Sequence, residues 1–427
     1  MRLGAMFMTV CVALCVASAG ALAQDEQPGP GEPGGSGLAI TCAKALTLAG
    51  DEPVIDHAVL LIRDGKIVDI GPEDEIEIPE GFELLDVGDR WLVPGLIDLH
   101  SHVGGTRDIN DMVYQTNPGL RVNVAVVPSN MNLRRGMAGG VTTTLFIPGS
   151  GTAIGGQGVL IKTGLDTYED MRIRDPGSLK VAQGNNPKSY GTGCGPALYN
   201  WHIKDSLRRG RAYHEIWEAY ERGEGPEPER DIQFDVFRDL NSGRAQVSTH
   251  TQQHAVVQST VRIQAKEFGL PTFIDHGSFD GFKGAKYAEE AGVAAILGPR
   301  SVSWKSRGRG VDHDGRMMGM AAEYQKRGHT AIGFNTDASV IPQETLSLQA
   351  AMAVRYGFDD SYLDAVRGLT IVPAETAGIA DRVGSLEPGK DADVLVVKGH
   401  PADPRASIDL VYIEGRLCYD AEEERLW

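Results

Sequence analysis

In VPGLIDLHSH, residues 93–102, His100 and His102 stand two apart at the end of an apolar run that reads as a buried strand. Side chains alternate faces along a strand, so both imidazoles project the same way and are placed to share one metal ion. A His-Ser-His by itself is as readily a feature of a loop. Three further strand-like runs end in the same residue types: His250 closes AQVSTH, His276 closes PTFIDH and Asp337 closes TAIGFNTD. Taken singly, His276 has an ordinary role satisfying a buried carbonyl, and Asp337 has one capping the loop that follows. Gathered on one rim they point to a metal centre. Imidazole and carboxylate suit zinc best among the common divalent ions, with manganese, iron and nickel also compatible.

Strands that end on a common rim belong to a barrel. The runs VPGLIDLH, VTTTLFIPG, GVLIKTG, SLKVAQG, AQVSTH, PTFIDHG, VAAILGP and TAIGFNTD alternate with helix-length stretches, which predicts an α/β chain with a closed parallel (β/α)8 TIM barrel over residues 94–383. Helices are clearest in VVQSTVRIQAKEFG, FKGAKYAEEAG, GRMMGMAAEYQKRG and TLSLQAAMAVRYG, each closing near a glycine. The charged stretch from Ile203 to Asn241 reads as a helical excursion with a surface loop. Short strands around Asp64-Gly65 and Glu414-Gly415 predict that residues 38–93 and 384–427 pair into one composite β-sandwich domain.

The 427-residue chain has a formal net charge of −17, which argues against a nucleic-acid partner, since phosphate backbones are bound by clustered Lys and Arg. An early Arg2, an apolar stretch from Met6 to Ala17 and the small-residue site Ala21-Leu22-Ala23 predict a signal peptide over residues 1–23, and hence a periplasmic or secreted protein. Residues 24–37 read as a Pro/Gly-rich linker, and no later stretch is apolar and long enough for a membrane span. Once Cys11 and Cys15 are removed, Cys42, Cys194 and Cys418 form neither a disulfide framework nor a zinc knuckle.

Over Leu38 to Tyr419 the sequence resembles the amidohydrolase superfamily, near its imidazolonepropionase-like and prolidase-like branch. The carriers are VPGLIDLHSH, GGVTT, THTQQH, DHG, NTDASVIPQE and the tail LTIVPAETAGIADRVGSLEPGKDADVLVV. The resemblance implies metal ligation by His100, His102, His250 and His276, and a proton-transferring role for Asp337. It also implies a choice between one metal and two. Two-metal relatives bridge their ions with a carboxylated lysine or a glutamate. Lys180 in SLKVAQGNNPK is the candidate bridge here, with His100, His102 and Asp337 on one ion and His250 and His276 on the other; Lys162 is a weaker rival. The chain departs from the family at Ser248, Thr251 and Asn185, where relatives tend to carry His, Arg and Glu, which bears on substrate handling and on any second ion.

The expected activity is hydrolysis of a carbon–nitrogen bond in a small amide, cyclic amide or dipeptide, with Asp337 as general base and His276 aiding the carbonyl or holding a second ion. A heterocycle deaminase is the alternative on the same barrel, but such enzymes usually place a glutamate soon after the fifth-strand histidine, and HTQQHAVV has no acid. A binding barrel without turnover is a third reading, disfavoured by the intact ligand set. His254, one helical turn past His250, reads as a helix residue, and His57, His202, His214, His313, His329 and His400 as structural or surface. The glycines from Gly155 to Gly158 read as a turn with a possible part in shaping the pocket. A homo-oligomer is compatible with the sequence.

Overall fold

Aliphatic and β-branched residues dominate eight strands that hydrogen-bond into one sheet: β1 (Leu96–Ser101), β2 (Val141–Phe146), β3 (Ile154–Lys162), β4 (Arg172–Ala182), β5 (Gln246–Thr251), β6 (Thr272–His276), β7 (Ala295–Leu297) and β8 (Ile332–Phe334). They run in sequence order around the sheet, and a parallel bridge from Ser101 to Ala338 joins its two ends into a nearly closed barrel. This is a computed structural model, and it describes residues 37–50, 53–105, 109–184, 186–187, 195–304, 317–424 and 426. The chain divides into Met1–Gly35 and Ser36–Trp427, and every described strand and helix belongs to the second unit. The expected signal peptide, nearly all of the linker, Asn185, Cys194 and His313 lie outside the described residues.

The barrel departs from the expected parallel order at one strand. β3 pairs antiparallel with both β2 and β4, while the other strand pairs are parallel. The reason is connection length: a parallel return needs a crossover of about a dozen residues or more. Only the segment 147–153 separates β2 from β3. The strand also begins earlier than expected, taking in the glycines of GGQG, and its reversed direction carries Lys162 to the end of the barrel remote from His100, opposite Thr143 at the start of β2.

A second eight-stranded sheet comes from both chain ends. The strand Trp91–Pro94 lies between Leu38–Leu46 and Val394–Lys398, joining N-terminal to C-terminal segments. Outside the barrel, the helix Pro196–Glu221 and the shorter Asp235–Asn241 form the charged excursion. They pack Tyr199, Ile203, Leu207, Val236 and Phe237 over Leu179, Val181 and Val247 of β4 and β5. Helices His254–Thr260 and Leu346–Arg355 appear where periodicity placed them, and Gly269 and Gly357 follow them with positive φ of 64° and 94°.

Where barrel and end sheet meet, Lys162 donates to Asp391 Oδ2 at 2.7 Å and to both oxygens of Asp393 at 2.8 and 2.9 Å. Burial works against its charge, but Asp393 and Asp391 outweigh it and hold the pKa above the ordinary lysine value. Lys162 is therefore a structural tie and not a rival metal bridge. Lys162→Met would strip the buried Asp393 of its cation, leaving Lys66 and Arg382 on Asp391, and should cost about 3 kcal/mol of stability. The expected result is a lower urea midpoint with unchanged metal content; loss of metal instead would return Lys162 to the site.

Candidate metal centre

The histidines converge because their strands end together. Inside the barrel mouth the His100 ring centroid lies 5.0 Å from that of His102 and 4.4 Å from that of His276, and His250 lies 4.4 Å from His276. Asp337 Oδ1 is 3.3 Å from Nε2 of both His100 and His102. One ligand atom from each of His100, His276 and Asp337 falls within 4.8 Å of the others, the spacing a single cation requires. His276 and Asp337 sit in left-handed backbone, with φ of 71° and 49°. Residues other than glycine stay there only when their surroundings enforce it, and such positions cluster at functional sites.

Partners outside the cluster decide which nitrogens face inward. His102 Nδ1 lies 2.9 Å from the Ile147 carbonyl and His276 Nδ1 2.9 Å from that of Gly298. A carbonyl only accepts, so each Nδ1 is the protonated nitrogen and each Nε2 carries a lone pair. His100 Nδ1 lies 3.1 Å from Asp275 Oδ2, which fixes the same tautomer. Nε2 of His250 and of His276 are buried with no hydrogen-bond partner. The Nε2 atoms of His100 and His102 lie 3.2 Å apart. Bare nitrogens facing one another and a carboxylate repel unless a cation lies among them. The donor set fits a divalent metal: His100, His276 and Asp337 are spaced to hold one ion, with His102 and His250 beside them.

Electrostatics agree with that reading. Burial, and then the neighbouring imidazoles, keep His250 well below the ordinary histidine value and His276 at about 4, so both are neutral ligands near pH 7. Burial and Lys180 oppose a charge on His100, but Asp275 and Asp337 outweigh them and raise its pKa. Burial would raise Asp337, yet the adjoining imidazoles of His100 and His102 hold it far below the carboxylate range.

Lys180 on β4 is fully buried, with Nζ 3.2 Å from Asp275 Oδ2 and 3.3 Å from His100 Nε2. Burial lowers its pKa. Ser248, the departure on β5, donates to Asp275 Oδ2 at 2.6 Å, and Thr251 donates to the Asp275 carbonyl at 2.8 Å. Both are engaged in positioning Asp275. His254 begins the helix after β5, its backbone N–H donating to Asp280, and does not line the cleft above the histidines. That cleft has a volume of about 770 Å³.

Two carboxylates central to the site were not singled out from the sequence. Asp98 lies behind His100, accepting from the His100 N–H at 3.2 Å and the Thr336 hydroxyl at 2.5 Å, with burial pushing its pKa up to about 6. Two residues before His100 on the same strand, it was legible from the alternation that paired His100 with His102. Asp275 was not, because alternation sends neighbouring residues to opposite faces. The left-handed turn at His276 brings both inward.

The amidohydrolase family pattern matches residues 310–418. An amidohydrolase structure from Thermotoga maritima superimposes with a TM-score of 0.78 at 28% identity, covering 90% of this chain and all of that one. The chain is thus similar to amidohydrolases over most of its length. Imidazolonepropionase from Sphingopyxis alaskensis is 22% identical over 85% of this chain and 92% of its own length. Amidohydrolase tasK from Hapsidospora irregularis is 23% identical over 81% of this chain, which spans only 38% of that protein. A prolidase structure complexed with N-methylphosphonate-L-proline shares the fold, with a TM-score of 0.55 at 17% identity over 90% of this chain and 99% of that one. These likenesses indicate a hydrolase, of a kind that generally uses divalent metals.

Asp275, 3.1 Å from His100 Nδ1, is the residue that turns His100 Nε2 towards the centre. Asp275→Asn should lower metal affinity about 10- to 100-fold. Titration of the loaded protein with a competing chelator reads this directly, and an unchanged affinity would sink the role given to Asp275.

Proposed function

We propose that this hydrolase is metal-dependent and cleaves a carbon–nitrogen bond in a small amide, cyclic amide or dipeptide, with Asp337 as general base. The observation that carries the reading is the gathering of Nε2 nitrogens at the floor of the cleft, those of His100 and His102 beside Asp337 and those of His250 and His276 buried without partners. A divalent cation held by these residues, zinc being the best match to the donors, supplies Lewis acidity and acidifies water near neutral pH. Asp337, ionised and lining the cleft, takes the proton at Oδ1 or Oδ2 and returns it to the leaving nitrogen. His276 holds its outer nitrogen on Gly298, so its ring keeps one orientation through the reaction. The relatives' names, imidazolonepropionase and prolidase, support a cyclic amide or dipeptide as substrate class. Asp337 is the one carboxylate among the described residues lining the cleft, which favours hydrolysis over a deamination that needs a second acid.

The place of Lys180 supports a two-metal form. A buried amine with a depressed pKa is the reactive, neutral form that adds to carbon dioxide, and the resulting carbamate would reach both His100, His102 and Asp337 on one side and His250 and His276 on the other. Export through the N-terminal signal is part of the same proposal. N-terminal sequencing of the native protein should find it beginning near Gln24, and retention of Met1 would refute export by cleavage.

The central test combines elemental analysis with turnover. Protein grown with bicarbonate and zinc should carry close to two metals per chain and lose activity to a chelator. Asp337→Asn should lose at least about a thousandfold in kcat while staying folded. Lys180→Ala should drop to one metal or fewer. One metal per chain in both the native protein and Lys180→Ala, with activity undiminished, would leave a mononuclear hydrolase.

A further inference from the structure

We propose that Arg300, stacked on Phe279 at the mouth of the cleft, binds a free carboxylate of the substrate, so that the enzyme selects N-acyl amino acids or dipeptides over neutral amides. The inference rests on the hydrolase reading above and narrows its substrate class.

Among the described residues lining the cleft, Arg300 is the only lysine or arginine. Asp337, the only acid among them, is already engaged with His100 and His102. No described carboxylate forms an ion pair with Arg300, whose guanidinium carbon instead lies 5.2 Å from the Phe279 ring centroid. Stacking on an aromatic face holds the guanidinium plane and leaves its edge N–H groups free, the geometry that receives a carboxylate through two parallel hydrogen bonds. The protein's net charge of −17 repels anions in general, so a fixed cation at the mouth is what lets an anionic substrate approach.

The backbone that carries Arg300 is the same segment that orients the centre. Gly298, two residues earlier, accepts from His276 Nδ1 at 2.9 Å, and a Cβ there would lie 2.1 Å from the Asn335 carbonyl oxygen. Ser301 follows, donating to Gln349 Oε1 at 3.1 Å. The backbone at Arg300 is thus held on both sides, with the exposed side chain resting over Phe279. A substrate anchored by its carboxylate presents its amide at a constant reach, which is how a binding group distant from the chemistry lowers the barrier.

The test uses matched probes, N-acetyl-L-leucine and N-acetyl-L-leucinamide, which differ in the carboxylate alone. Binding is measured by calorimetry on metal-loaded full-length Asp337→Asn protein, where turnover is suppressed, so the preference is read whether or not amides prove to be substrates. The acid should bind at least about tenfold more tightly than the carboxamide. Adding Arg300→Met should collapse that ratio to near one, and Arg300→Lys should keep part of it. If Asp337→Asn fails to load metal, the same ratio is read in native protein from competitive inhibition of whichever amide is turned over, or from direct binding if none is. Equal binding of acid and carboxamide, no binding of either, or a ratio that survives Arg300→Met would overturn the proposal. Failure of the hydrolase reading shows separately, as carboxylate preference without turnover in the native protein.

Discussion

Lone pairs do not share a dry cavity willingly. At the floor of this cleft the bare nitrogens of His100 and His102 stand 3.2 Å apart beside an ionised Asp337, and those of His250 and His276 are buried without partners. Protonating them would relieve the repulsion, but burial holds His102, His250 and His276 below the ordinary histidine pKa. The arrangement has to be enforced from outside. Ile147 and Gly298 each hold an Nδ1 by a carbonyl, Asp275 holds a third by a carboxylate, and Ser248, Thr251 and Lys180 hold Asp275. The left-handed backbone at His276 and Asp337 belongs to the same enforcement, since each residue is turned out of its strand's alternation to reach the centre.

That enforcement depends on strand ends being level, and levelness comes from register. Ser248 lies beside Lys180, His250 beside Asp275 and Thr251 beside His276, so β4, β5 and β6 bring their contributions to one depth. A slip of one residue between β5 and β6 would send every inward side chain to the other face. The buried Lys162 network at the opposite end of the barrel pins β3 against the sheet formed by the chain ends, well away from the chemistry.

Much of this was written in the sequence. The β-branched runs marked the strands, and His100, His102, His250, His276 and Asp337 advertised themselves by lying at the ends of those runs. What local pattern could not supply was direction and twist. Strand direction follows from the length of the connection, and the short segment before β3 reverses it, which is why Lys162 changed from a candidate ligand to a tie. Asp275 was hidden because a single left-handed residue overrides the two-residue period. Arg300 was hidden because nothing in its immediate sequence marks a loop arginine as facing a cleft; only the assembled rim shows it.

The strand Trp91–Pro94 has a consequence for how the molecule is made. Its neighbours are Leu38–Leu46 on one side and Val394–Lys398 on the other, so one edge finds its partner only in a segment synthesised after the whole barrel. A chain emerging from the ribosome carries that edge open while the whole barrel is translated, with Leu92 and Val93, both fully buried in the finished protein, exposed beside it. Contacts so distant in sequence form slowly, and unpaired edges template aggregation. The nascent protein therefore stays vulnerable until Val394–Lys398 appears, and premature termination anywhere in the barrel would leave an adhesive fragment.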